Sequence, residues 1–140
     1  MIENCGKVVP AIVVGYLLLL GLGYLIHEVW LKPVYQQYAG VWRPEEVFRH
    51  KLWVMWVGQL IFTVMFAWIY TRGVEHKPWA GQGIRYAILM TLLAVVPTAC
   101  AQYTVYPIPY TLAVKWMVAG GLQLIVLGLV VAWFCRGSAA

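Results

Sequence analysis

The chain has 140 residues, of which 63% are hydrophobic and only 11% charged, against about 45–50% and about 25% in soluble domains. Such a chain cannot hide its apolar surface in water, so a soluble globular domain is excluded. Its formal net charge of +5 comes from basic residues scattered at the ends of apolar stretches, which points to membrane anchoring and away from nucleic acid as a partner.

In chain order, four apolar stretches run over about 8–30, 52–70, 84–106 and 112–134. Each reaches the roughly 20 residues that a helix needs to cross a bilayer, and in lipid only helices or closed barrels satisfy their own backbone. The expected fold is an all-α integral membrane protein, one four-helix transmembrane bundle over residues 1–140. The first stretch reads as an uncleaved span. Its leader, Met1–Lys7, sets Glu3 against Lys7, and its apolar run is longer than the about 7–15 residues of a signal core. Aromatic residues mark the boundaries: Trp30 closes the first span, Trp53 and Trp56 open the second, and Trp68 with Tyr70 close it. Trp79 precedes the third span, Tyr103 and Tyr106 end it, and Trp116 and Trp133 bracket the fourth. These rings favour the headgroup level, where one edge is wet and the other greasy.

The first loop, 31–51, is the longest. Arg43-Pro44-Glu45-Glu46 has the form of a helix start, with proline in the first turn and acids on the positive end of the dipole. A short interfacial helix from Pro44 into the second span is therefore expected. The second loop, 71–83, is polar. The third is a tight turn at Pro107-Ile108-Pro109, which makes the third and fourth spans antiparallel neighbours, and Pro97 should disturb the third span. An even number of spans puts both termini on one side. Basic residues divide evenly, Lys7, Arg72, Lys77, Arg85 and Arg136 against Lys32, Arg43, Arg49, Lys51 and Lys115. The acids favour a cytoplasmic face for the termini by a small margin, and acids count little in this rule.

The chemistry is sparse. There is no Asp, and the one Ser is Ser138, so aspartyl and Ser–His proteolysis lack their catalytic groups. Cys5, Cys100 and Cys135 are far apart, with no C-x-x-C, and read as small packing residues. His27 with Glu28, and His50 with Glu46, should lie on one membrane side. They are the candidate ligands for a metal ion, and the two histidines are the candidates for a haem. The competing reading is that they are solvated residues at helix ends, and no resident cofactor is expected. Gln59 and Gln123 are expected to hydrogen-bond between helices, and Gly120, Gly121 and Gly128 to form a close helix contact, with Gly121 and Gly128 one heptad apart.

Arg43-Pro44-Glu45, Ile69-Tyr70-Thr71-Arg72-Gly73 and Pro107-Ile108-Pro109, set between four spans, resemble a group of small bacterial four-helix membrane proteins known only as uncharacterised families. The resemblance covers most of the chain. It implies the fold and a multi-pass location, the inner membrane in a bacterium, and no activity. The four-helix multidrug carriers are similar in size, but their mid-membrane Glu in the first span has no counterpart here. The expected function is non-enzymatic: an accessory or structural subunit packing against membrane partners or its own copies in the lipid bilayer. The alternatives are a small oligomeric transporter or channel, or a haem-, quinone- or metal-associated protein using His27 and His50.

Overall fold

The structure, a computed structural model, describes residues 6–136, and every regular element among them is helical. Four helices are long and apolar enough to cross a membrane: α1 (Val8–Trp30), α3 (Glu45–Arg72), α4 (Trp79–Val105) and α5 (Tyr110–Cys135). A short helix, α2 (Lys32–Gln37), lies between the first two and is followed by a tight turn over Ala39–Val41.

Prolines set three of the long starts. Pro44, Pro78 and Pro109 each stand immediately before a helix, with φ of −50°, −53° and −68°. The ring fixes φ near the helical value and lacks the N–H that a first turn would leave unpaired. Tyr106, ahead of Pro107, is extended at φ −100°, ψ 141°, because the following ring disfavours the helical region. α3 therefore begins at Glu45, not Leu52, with Glu45 and Glu46 in its first turn and Arg72 in its last, each favourable to the helix dipole. The interfacial helix expected from Pro44 is thus the opening of one continuous 28-residue helix. The short helix of the first loop lies earlier, at Lys32–Gln37, where Pro33 occupies the first turn.

Two of the long helices contain wide π turns. α1 ends in one over Leu25–Trp30, where the Leu31 N–H reaches back to the Ile26 carbonyl at 2.8 Å. α4 carries the other over Thr91–Val95, directly before Val96-Pro97. Pro97 has no N–H, and its ring crowds the carbonyl of Leu93. A wider turn absorbs both conflicts.

α5 is the hub. It packs most extensively on α4 and next on α1, while α3 leans mainly on α1. The main core joins Ala11 and Leu19 of α1, Phe66, Ala67 and Tyr70 of α3, Ala87 of α4, and Leu124, Leu127 and Val131 of α5. It fills the half of the bundle where α1 begins and α5 ends. A smaller core of Leu31, Ile108 and Leu112 sits at the opposite end. The seam between α4 and α5 is the tightest. A Cβ added to Gly83 would stand 2.6 Å from the Gly128 carbonyl oxygen, and one added to Gly128 would strike the Gly83 carbonyl in turn. Gly120 is similarly close to Val95, at 2.6 Å, whereas Gly121 meets only ordinary contact with Thr91, at 3.4 Å. In lipid, helices associate through such packing, because acyl chains match the apolar side chains of the helices themselves.

Candidate functional site

Two polar centres stand at opposite ends of the bundle. The first is built around Tyr35 on α2. Pro33 starts that helix, which lays Tyr35 across the end of α1 and the start of α5. The indole N–H of Trp116 donates to the Tyr35 hydroxyl at 2.8 Å, and His27 Nδ1 lies 2.6 Å from the same oxygen. An indole can only donate, so the hydroxyl accepts from Trp116 and its own proton is available to Nδ1. That arrangement assigns the proton of a neutral His27 to Nε2. The His27 and Tyr35 rings are nearly parallel, with centroids 5.9 Å apart. Trp42 packs edge-on against Tyr35 and donates to its backbone carbonyl at 3.2 Å. Trp116 and Tyr106 both flank the Trp42 ring at 6.3 Å. Burial pushes the Tyr35 phenol above its ordinary pKa; the Trp116 N–H opposes this, and the Glu28 carboxylate adds to it.

The four candidate ligands do not converge. Glu28 pairs with Lys32 at 3.3 Å, one turn on. His50 and Glu46 are exposed on the opening turns of α3, where it is Glu45 that pairs with Arg49. Among the described residues no three His, Cys, Asp or Glu side chains gather as a metal site would require. His27 commits Nδ1 to Tyr35, so a ligand at that nitrogen would have to displace the phenol. Beside Trp116, an open groove of about 240 Å³ runs between α4 and α5, lined by Ala94, Val95, Thr98, Ala99 and Gln102. The Thr98 hydroxyl is tied to the Ala94 carbonyl at 2.6 Å, which leaves the Gln102 amide as the polar group of that wall.

The second centre is Gln82, 7% exposed at the start of α4. Its Oε1 accepts from the Glu75 N–H at 3.0 Å, and its Nε2 donates to the carbonyls of Glu75, at 2.5 Å, and Lys77, at 3.0 Å. The amide thus replaces the backbone partners that the loop lacks. The Glu75 carboxylate pairs with Lys77 and approaches Arg85 at 3.7 Å. The hydrogen bond and charge of Lys77 hold its carboxyl below the usual range.

The expected bundle glutamines do less. Gln59 and Gln123 are half-buried, and among the described residues neither side chain makes a hydrogen bond. Gln123 lies along α1, with Nε2 3.7 Å from where a Cβ on Gly23 would stand. Of the cysteines, Cys100 is an exposed free thiol. Cys135, expected as a packing thiol, is buried and disulfide-bonded; Cys5 lies outside the described residues. Sequence reasoning passed over Tyr35, Trp42 and Gln82. A signal existed for Gln82, which stands between Gly81 and Gly83 at the head of an apolar helix, where no neighbouring side chain screens it. Comparison with protein-family models, curated proteins and solved structures finds no match.

Proposed function

We propose that the chain is a multi-pass membrane subunit, without catalysis of its own, that packs against a membrane partner through the first half of α3. In a bacterium its place is the inner membrane, with both termini on one side. The observation that carries this reading is how unevenly α3 is used. Its buried residues, Thr63, Phe66, Ala67 and Tyr70, all lie in its second half. The first half exposes Trp53, Val54, Met55, Trp56 and Val57 in unbroken succession, and Gly58 opens a notch with nothing within 4 Å. Tryptophan and methionine are the side chains that partner surfaces favour, and an open glycine admits close backbone approach in lipid. A photo-crosslinking residue at Val54 or Met55, activated in native membranes, should give one discrete protein adduct. The same residue at Leu93, on the exposed side of α4, should give none. Lipid adducts alone at all three positions would sink the proposal, and a product at twice the chain's mass would identify the partner as a second copy.

The open groove beside Trp116 favours a second reading, a quinone-like hydrophobic ligand along α4. Titration with a soluble quinone should then quench tryptophan fluorescence saturably, and less so in Trp116→Phe.

A further inference from the structure

The ends of α3 and α5 repeat one arrangement. Arg72 closes α3, and its guanidinium lies over the Trp68 ring, 4.8 Å from the centroid. Arg136 follows the last residue of α5, and its guanidinium lies over the Trp133 ring at 4.6 Å. Tyr70, Val131 and Cys135 belong to one buried core, so the two helices finish at the same end of the bundle. Both Arg–Trp pairs are exposed there. Helical Cα–Cβ bonds tilt towards the helix start, which draws each cation back over a ring one turn earlier instead of outward into water. Tryptophan marks the headgroup level, and both charges therefore stand at that level. Among the described residues neither guanidinium has an ion pair or a hydrogen-bond acceptor. A ring face balances charge but leaves the five N–H donors of each fork unmet.

We propose that these two pairs are seats for the phosphate of an anionic lipid, one at the end of α3 and one at the end of α5. A guanidinium presents a planar fork that matches phosphate oxygens two at a time, and lipid phosphate is the anion available at that depth. The head is of the anionic class, a phosphodiester without a cationic group. A zwitterionic head would bring an ammonium that needs a carboxylate of its own. Glu75 is the carboxylate at this end among the described residues, and Lys77 and Arg85 already engage it. Lys7 adds positive charge at the start of α1. The opposite end is built differently. Glu28 and Glu45 take Lys32 and Arg49 within one turn, and Glu46 adds a further negative charge. Lys115 does lie over Trp30 there, at 5.8 Å, but an ammonium is a point charge without the fork. The seats stand at the other end of α3 from the surface proposed for a protein partner, and neither reading depends on the other.

The test places the full chain in nanodiscs of phosphatidylcholine alone and of phosphatidylcholine mixed with phosphatidylglycerol. Melting in the first lipid shows that each variant folds, and the shift between the two lipids reads the headgroup. Native mass spectrometry of the chain released into mild detergent then counts the lipids retained. Wild type should melt higher in the mixed disc and keep phosphatidylglycerol in preference to phosphatidylcholine. Arg72→Gln and Arg136→Gln should each weaken phosphatidylglycerol retention about fivefold, and the double variant should lose the melting shift. Arg72→Lys, which keeps the charge without the fork, should fall between wild type and Arg72→Gln. Arg49→Gln, at the opposite end, should behave as wild type. Equal retention of the two lipids, or a loss in Arg49→Gln as large as in Arg72→Gln, would overturn the seats. Inorganic phosphate that stabilises the chain in phosphatidylcholine discs as much as phosphatidylglycerol does would overturn a lipid as the ligand.

Discussion

The α4–α5 seam and the stretch of α3 from Leu52 to Ile61 are both built largely from apolar residues and are opposite in fate. Along the seam, Gly83 and Gly128 bring two backbones so close that neither tolerates a methyl group. Along α3 ahead of Phe62, bulky Trp, Met and Val side chains point outward and no residue is buried. Apolar character cannot distinguish these regions in lipid, where every such side chain already has a matching solvent. Shape does. Small residues, set where two helices cross, gain backbone-to-backbone contact that acyl chains cannot imitate, while large side chains find lipid as good a neighbour as protein.

The sharpest way to break that contrast is to fill the seam. Gly128→Leu places atoms where the Gly83 carbonyl and the Ala87 methyl stand, and should cost about 3 kcal/mol or abolish folding, read as a fall in the melting temperature in detergent. Gly120→Ala meets Val95, whose branched side chain has little freedom to move aside, and should cost about 1 kcal/mol. Gly121→Ala, with ordinary contact only, should stay within about 0.5 kcal/mol. A Gly121→Ala melt as low as that of Gly120→Ala would show that the seam is not graded as the distances say. Trp116→Phe keeps the ring stack but removes the donor to Tyr35, for a loss of about 1 kcal/mol, and should increase proteolytic nicking of the first loop.

Smaller still is the acid response of the Glu75 pair. Its carboxyl is held below its ordinary value of 4.5 by Lys77, so the contribution is complete above that value and fades as pH falls through the lower folded one. The pair is fully exposed, and the difference between wild type and Glu75→Gln should be slight at pH 7 and vanish towards pH 3, tracked by melting across that range. Gly58→Leu, on the open side of α3, should leave the melt of the purified chain unchanged while abolishing the crosslink at Met55. A lowered melt there would mean that the face is already occupied within the chain.

The four long helices are legible in the sequence because apolar runs of about 20 residues or more stand out so clearly that four could be counted before any contact was known. Helix starts were partly legible: Pro44 and Pro109 marked theirs, while the apolar boundary at Leu52 hid how early α3 begins. Candidate chemistry was less so. His27 and His50 share an end of the bundle by topology alone, yet one is claimed by Tyr35 and the other faces outward, a difference that depends on where α2 lies within a loop of weak periodicity. Gln82 outdoes Gln59 and Gln123 because it faces a loop with unpaired backbone groups, whereas the other two face helices that satisfy their own.

The π turn in α4 has a geometric result that a helical wheel conceals. Ala87 and Ala99 are both buried, and they stand twelve residues apart. In an unbroken α-helix at about 100° per residue they would point about 120° away from each other. A π turn takes up one surplus residue, and eleven effective steps return them to within about 20°. The wide turn before Pro97 therefore acts as a phase correction: it keeps one continuous edge of α4 against α5 although the residues forming that edge follow the same α-helical repeat in two phases, one on either side of Thr91–Val95.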